Sequence, residues 1–199
     1  MSQNPTAGVV RVFVAIELPP PVITALTAVQ QQLAAQALPL RLAAPAGLHL
    51  TLAFIGEIPA GQVPVLVGAV QPGAAGTGPF QLRAEGLGMF PNARAPRVVW
   101  AGVEGAPDAM AALTALREGI ATQLRAAGFA FDRRFDPHLT LARVRDGCAP
   151  AERARVGAAV QALPGLTPVP FDVTGVSVMR SDLRPGGAVY SRLAHVVLA

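Results

Sequence analysis

Apolar side chains recur along this chain with two spacings, one of a half-buried strand and one of a helix face. Residues 9 to 18, VVRVFVAIEL, are rich in β-branched side chains and stop at three prolines, which predicts a central strand. Residues 22 to 38 then carry apolar side chains at 22, 23, 26, 29, 33 and 37, helical spacing, with Pro39 behind them. Residues 48 to 55, LHLTLAFI, return to the strand pattern and close at Gly56. Residues 59 to 73 allow a shorter helix with Pro64 in its first turn. Strands at 80 to 90 and 97 to 103 flank PNARAP, a turn-forming spacer. The clearest helix spans 107 to 128, apolar at 110, 113, 116, 120 and 124 and stopped by Gly128. A strand at 138 to 144 and a helix at 150 to 163 follow, and VPFDVTGVSVMRSDL and AVYSRLAHVVLA read as strands around the loop RPGG.

The second half of this order echoes the first, which predicts two related lobes, each a sheet covered by helices. No Ser- or Gly-rich linker separates them, so residues 1 to 199 are expected to form one domain with an internal duplication. Inside two of the strands stands the same tetrapeptide, His-Leu-Thr-Leu, at 49 to 52 and 138 to 141. It holds two of the chain's three histidines. Strand alternation turns His49 and Thr51 to one face and Leu50, Leu52 and Phe54 to the other, and treats His138 and Thr140 likewise. The leucines are expected in a core and the polar pairs on the uncovered face. By the same rule Phe54 falls in the core and Arg143 on the leucine side.

A lone histidine on a strand is most often a structural hydrogen-bonding residue. Two in identical polar settings fit proton transfer in both directions, because imidazole titrates near neutral pH and serves as acid or base. Threonine hydroxyls beside them are placed to donate to phosphoryl oxygens. Hydrolysis of a phosphodiester by in-line attack needs water activated on one side and the leaving oxygen protonated on the other, which two symmetric arms provide. Neither arm has a second histidine or a carboxylate at metal-ligand spacing, so no metal is expected. Ser181, Asp182 and His195 lack a nucleophile elbow, and a structural role suits His195 better. Cys148 is alone, which excludes an intramolecular disulfide, and VRDGCAP shows no activating neighbour.

Composition narrows the partner more than the fold. With 199 residues, 52% of them hydrophobic, the chain can bury a sizeable core. No apolar stretch approaches the roughly 18 residues of a membrane span, and MSQNPTAG lacks the pattern of a signal peptide. A cytoplasmic monomer is expected. All 16 basic residues are arginine, the net charge is +4 and the sequence pI is about 10.9, which favours a polyanionic partner. The arginines are scattered and only 14% of residues are charged, so an extended non-specific nucleic-acid surface is not indicated. Trp100 and Tyr190 are expected to pack structurally, and aromatics at 5% leave little for a stacking platform.

RVFVAIELP, GLHLTLAFIG, PRVVWAGV, FDPHLTLAR and SDLRPGGAVYSRL, in this order, resemble the two-histidine phosphoesterase superfamily. Within it the chain is similar to the bacterial and archaeal RNA 2′,3′-cyclic phosphodiesterases, also called 2′-5′ RNA ligases. The resemblance implies a bilobal α+β fold, its lobes mostly antiparallel sheets, with the motif strands facing each other across a cleft. It implies hydrolysis of 2′,3′-cyclic phosphate ends of RNA to a 2′-phosphate without metal or other cofactor, with weak reversible 2′-5′ ligation. By analogy His138 activates water, His49 protonates the departing 3′-oxygen, Thr51 and Thr140 hold the phosphate, and Arg143 contacts substrate. The symmetry of the motifs leaves the two histidine roles interchangeable. Many relatives carry an aromatic residue before the first motif, where this chain has RLAAPAG. Action on another cyclic or 2′-5′ nucleotide, and RNA binding without turnover, are the alternatives the residues leave open.

Overall fold

Proline marks the start of the helices, at Pro20, Pro64, Pro107 and Pro150, where its missing N–H costs nothing and its fixed φ suits the first turn. The structure, a computed structural model, describes residues 8–185 and 187–199. The leader-free reading of the first seven residues and one glycine of the RPGG loop lie outside the described residues. In chain order the elements are β1 (Val9–Glu17), α1 (Pro20–Ala34), β2 (Leu40–Leu42), β3 (His49–Pro59), α2 (Val63–Ala74), β4 (Phe80–Phe90), β5 (Val98–Glu104), α3 (Pro107–Ala126), β6 (His138–Val144), α4 (Pro150–Ala162), β7 (Val169–Val173), β8 (Gly175–Arg184) and β9 (Gly187–Val197). Short 3-10 turns at Pro45–Gly47 and Ala60–Gln62 precede β3 and α2.

The fold is mixed α and β, and its two lobes are halves of one antiparallel nine-stranded sheet. One half runs β3-β1-β8-β9, the other β6-β5-β4-β7, and β2 adds to β6. The halves meet at β3 and β6 through one paired position, Leu50 opposite Leu139. Both leucines are fully buried in a core cluster that also takes Leu66 and Val70 of α2 and Leu113, Leu116 and Ile120 of α3. Burial of such side chains contributes about 1.5–3 kcal/mol each. The helices thus cover the leucine face, and the histidine face is left open.

The strand expected to close at Gly56 runs on to Pro59, and the helix expected from residue 59 begins at Val63. Three further elements depart from the sequence reading. The helix expected to 38 ends at Ala34, and Ala37 takes a positive φ of 48°. VPFDVTGVSVMRSDL, read as one strand, breaks at Thr174: β7 pairs with β4 in one half and β8 with β1 in the other. β2, with no alternation to announce it, exists through its ladder to β6.

Candidate active site

The Leu50–Leu139 pair sets the geometry of the site. Continuing its antiparallel register places His49 across from Thr140 and Thr51 across from His138. All four side chains are half-buried, between leucines that are buried. By that register each histidine falls opposite a threonine of the other arm, a local two-fold arrangement centred on the leucine pair.

Both imidazoles are oriented in the same way. His49 Nδ1 donates to the Gly47 carbonyl at 2.7 Å, and His138 Nδ1 donates to the Asp136 carbonyl at 2.7 Å. A carbonyl only accepts, so Nδ1 carries the proton and Nε2 is the nitrogen left for chemistry. The rings are walled by aromatics. Phe13 stacks on His49 at 4.6 Å and Tyr190 meets it edge-on at 5.3 Å. Phe90 meets His138 edge-on at 5.0 Å, with Trp100 at 6.4 Å. Trp100 and Tyr190, expected to pack structurally, stand against the histidines, Trp100 together with Phe90, and Tyr190 also lines the cavity on this face. Burial pushes the His49 pKa below its ordinary 6.5, and the neighbouring His138 charge adds to this, while the Gly47 hydrogen bond opposes it.

A cavity of about 1090 Å³ opens on this face, lined among others by His49, Thr51 and Thr140. His138 stands beside it and is not part of its wall. Phe54 and Arg143 also line it, which corrects the expectation for both. In β3 the ladder pairs Ala15 with Thr51 and then Val14 with Ala53, leaving Leu52 as an extra residue. In β6 it pairs Trp100 with Thr140 and then Val99 with Ala142, leaving Leu141 extra. A bulge at the same place in each arm reverses the alternation. Phe54, expected in the core, is 40% exposed with the Arg11 guanidinium 4.6 Å over its ring, and Arg143 is exposed.

Two buried polar residues shape the site, and the sequence reading passed over both. Gln30, 3% exposed, donates from Nε2 to the Leu141 and Ala43 carbonyls, each at 2.8 Å, and so holds the β6 bulge and the end of β2 together. Arg117, also 3% exposed, donates to the carbonyls of Asp132 and Arg133 at 3.1 and 2.9 Å, between the rings of Phe131 and Phe135. It thereby clamps the irregular segment that leads into His138. The signal for each was a polar residue on the apolar stripe of its helix, beside Leu26, Val29 and Leu33 or Leu113, Leu116 and Ile120. Ser181, Asp182 and His195 are not brought together: Ser181 lines the cavity, Asp182 pairs with Arg180, and His195 bonds Ser177 at 2.9 Å. Among the described residues no three His, Cys, Asp or Glu side chains cluster as a metal site.

The model of the LigT-like phosphoesterase family matches this chain twice, over residues 16–100 and 104–190. The chain belongs to the LigT-like phosphoesterase family. A relative from Methanothermobacter thermautotrophicus named RNA 2′,3′-cyclic phosphodiesterase is 30% identical over 182 residues, 92% of this chain and 95% of that one. A Thermus thermophilus relative of the same name is 36% identical over 154 residues, 75% of this chain and 71% of that one. Among solved structures, a Thermus thermophilus protein superposes with a TM-score of 0.74 at 33% identity, covering 94% of this chain and 97% of that one. Escherichia coli LigT complexed with 3′-AMP gives 0.73 at 25% identity, covering 96% and 99%. This phosphoesterase is accordingly an enzyme, a hydrolase by family. No helix among its described residues is long and apolar enough to cross a membrane.

Proposed function

We propose that this phosphoesterase hydrolyses 2′,3′-cyclic phosphate at the end of RNA, leaving a 2′-phosphate and a free 3′-hydroxyl. One observation carries the reading: the leucine pair turns two His-x-Thr arms onto one open face, each imidazole with Nδ1 occupied and Nε2 available. The relatives' names and the 3′-AMP bound by LigT support the same substrate class. The pairwise match of the family model supports an origin of the two halves by duplication.

One imidazole takes a proton from water through Nε2 as the water oxygen bonds to phosphorus. The P–O3′ bond breaks on the far side, and the other imidazole passes its proton to O3′. Each Nε2 ends with the opposite protonation, and exchange with solvent restores the pair. Family analogy gives the base role to His138 and the acid role to His49. Burial works against a protonated His49 in the free protein, but a phosphate held between the arms favours the cationic form of the imidazole it faces. The substrate therefore charges its own acid. Thr51 and Thr140 donate to the non-bridging oxygens, where negative charge develops. The exposed ring of Phe54, backed by Arg11, suits the terminal base. No step needs a metal or a nucleotide, and 2′-5′ ligation is the same attack on the cyclic phosphate with the 5′-hydroxyl of a second RNA in place of water, weaker than hydrolysis.

The test is incubation of metal-stripped protein, in EDTA, with 2′,3′-cyclic AMP and with a short RNA ending in a 2′,3′-cyclic phosphate, the products being separated by chromatography. A 2′-phosphate product supports the reaction and its regiochemistry together. No product from either substrate, or turnover only after metal is added back, overturns the proposal.

A further inference from the structure

His49 and His138 each give Nδ1 to the carbonyl two residues earlier, but the two carbonyls are held by different means. Gly47 ends a 3-10 turn closed by its own backbone: Gly47 N–H donates to the Ala44 carbonyl at 2.8 Å and Leu48 N–H to the Pro45 carbonyl at 3.2 Å. The Tyr190 ring backs it, 2.8 Å from where a Cβ on Gly47 would stand. Asp136 has no such turn. From Ala130 to Pro137 the chain is irregular and forms no backbone-to-backbone hydrogen bond among the described residues. Backbone groups left free in this way need other partners, and here side chains supply them in sequence. Arg117 donates from Nη2 to the Asp132 and Arg133 carbonyls. Asp132 Oδ1 accepts from Arg134 N–H at 3.0 Å, an Asx turn, and Arg134 Nε donates to Asp136 Oδ2 at 2.6 Å. The Asp136 carbonyl accepts from His138 Nδ1 at 2.7 Å. A relay of hydrogen bonds thus runs from one buried guanidinium to the imidazole of His138.

Packing makes Arg117 the fixed end of this relay. It is 3% exposed, with the centroids of the Phe131 and Phe135 rings each 5.6 Å from its Cζ and Glu118 as counter-charge at 2.6 Å. Its Nε is buried without a partner. A guanidinium held at that cost is a poor way to fill a helix stripe, where a leucine would bring no polar group to satisfy. What the arginine adds is its grip on a segment that has no ladder of its own. Arg117 is not in the cavity wall, so it acts through His138 and not on substrate. The tautomer of an imidazole is set by the bond its other nitrogen makes. If the Asp136 carbonyl drifts, Nδ1 is freed and the ring can carry its proton on Nε2, which then cannot accept one from water. Resting on the reading of the preceding section, we propose that Arg117 is a positioning residue for His138. Through Asp132, Arg134 and Asp136 it fixes that imidazole in the Nδ1–H form, whereas His49 takes the same tautomer from its own turn at Pro45–Gly47.

Nitrogen NMR of the imidazole rings reads the tautomer of each histidine in the folded protein without substrate. Wild type should show Nδ1–H at both. R117M should shift His138 toward the Nε2–H tautomer and leave His49 unmoved, and R117K, which keeps a donor for the carbonyls, should restore part of the wild-type signature. On 2′,3′-cyclic AMP, R117M should lose kcat by about 10²-fold, the scale of a misplaced catalytic group, with KM little changed because Thr51 and Thr140 still hold the phosphate. D132A cuts the relay at an exposed residue and should move His138 in the same direction, which keeps the test open if R117M does not fold. A His138 tautomer unchanged in folded R117M, or unchanged in D132A, overturns the positioning role. So does an equal change at both histidines, which is what a general loosening of the fold produces. The spectrum needs no turnover, so a shift confined to His138 supports the role even if no cyclic phosphate is cleaved, and failure of the proposed reaction is read separately from the absent product.

Discussion

His49 and His138 share one hydrogen-bond pattern but not one environment, and this difference makes their roles separable. Replacing either by alanine should lower turnover of the cyclic substrate by about 10²–10⁴-fold, the usual contribution of a general acid or base. A p-nitrophenyl phosphodiester distinguishes them, because its leaving group departs without a proton. H49A should recover most of its activity on that substrate and H138A should not; recovery by H138A instead would exchange the two roles. The pH profile follows from burial. kcat/KM should be bell-shaped, and because burial disfavours the imidazolium of His49, the limb that His49 controls should lie below 6.5. Tyr190→Ala exposes the His49 ring to water, so that limb should move up toward 6.5. An unmoved limb in that variant would show that burial by Tyr190 is not the cause.

At the scale of elements, the paired bulges decide what faces the cleft. Gln30→Leu keeps the bulk of the side chain but leaves the buried Leu141 carbonyl with one donor fewer, which should cost about 1–3 kcal/mol, read as a lower urea midpoint. It should also lower activity in the folded protein, since Arg143 depends on the bulge for its orientation. Full stability with full activity would show that the bulge needs no anchor. The same bulges mark the limit of what the chain discloses by itself. Strands β4 and β6 coincide with the spans read from alternation, and proline announces the helix starts. His49, Thr51, His138 and Thr140 were legible because they precede the extra residue in each arm. Phe54 and Arg143 come after it, where a period of two assigns the wrong face. The carbonyl of the extra residue Leu141 accepts from Gln30, 111 positions away in sequence. A contact of that range leaves no local trace. β2 was hidden for a similar reason, since three residues have no periodicity and its pairing lies on the other half of the chain.

On the scale of the whole molecule, one ladder pair is too little to fix two half-sheets against each other, and the helices on the leucine face supply the rest. α2 packs against β8 and β9 of one half, α3 packs against β4 of the other and also against β3, α1 reaches β6 and β7, and α2 and α3 pack against each other. Their crossing is closed by glycine. A Cβ placed on Gly119 would lie 2.3 Å from the Gly73 carbonyl oxygen, and one on Gly73 would lie 2.6 Å from the Ile120 Cα. These are backbone contacts that no rotamer change can relieve, so a methyl group there must push the helices apart. Gly119→Ala should therefore destabilise by about 1–3 kcal/mol, the cost of overpacking, even though alanine is the better helix former. Because the helices join the halves across the Leu50–Leu139 seam, separation should also open the angle between the arms and displace each histidine from the threonine it faces. The folded variant should then lose kcat with the pH profile unchanged in shape. Thermal unfolding checks the first effect and kinetics well below the midpoint checks the second. A variant less stable but fully active would mean that the seam alone holds the two arms in register.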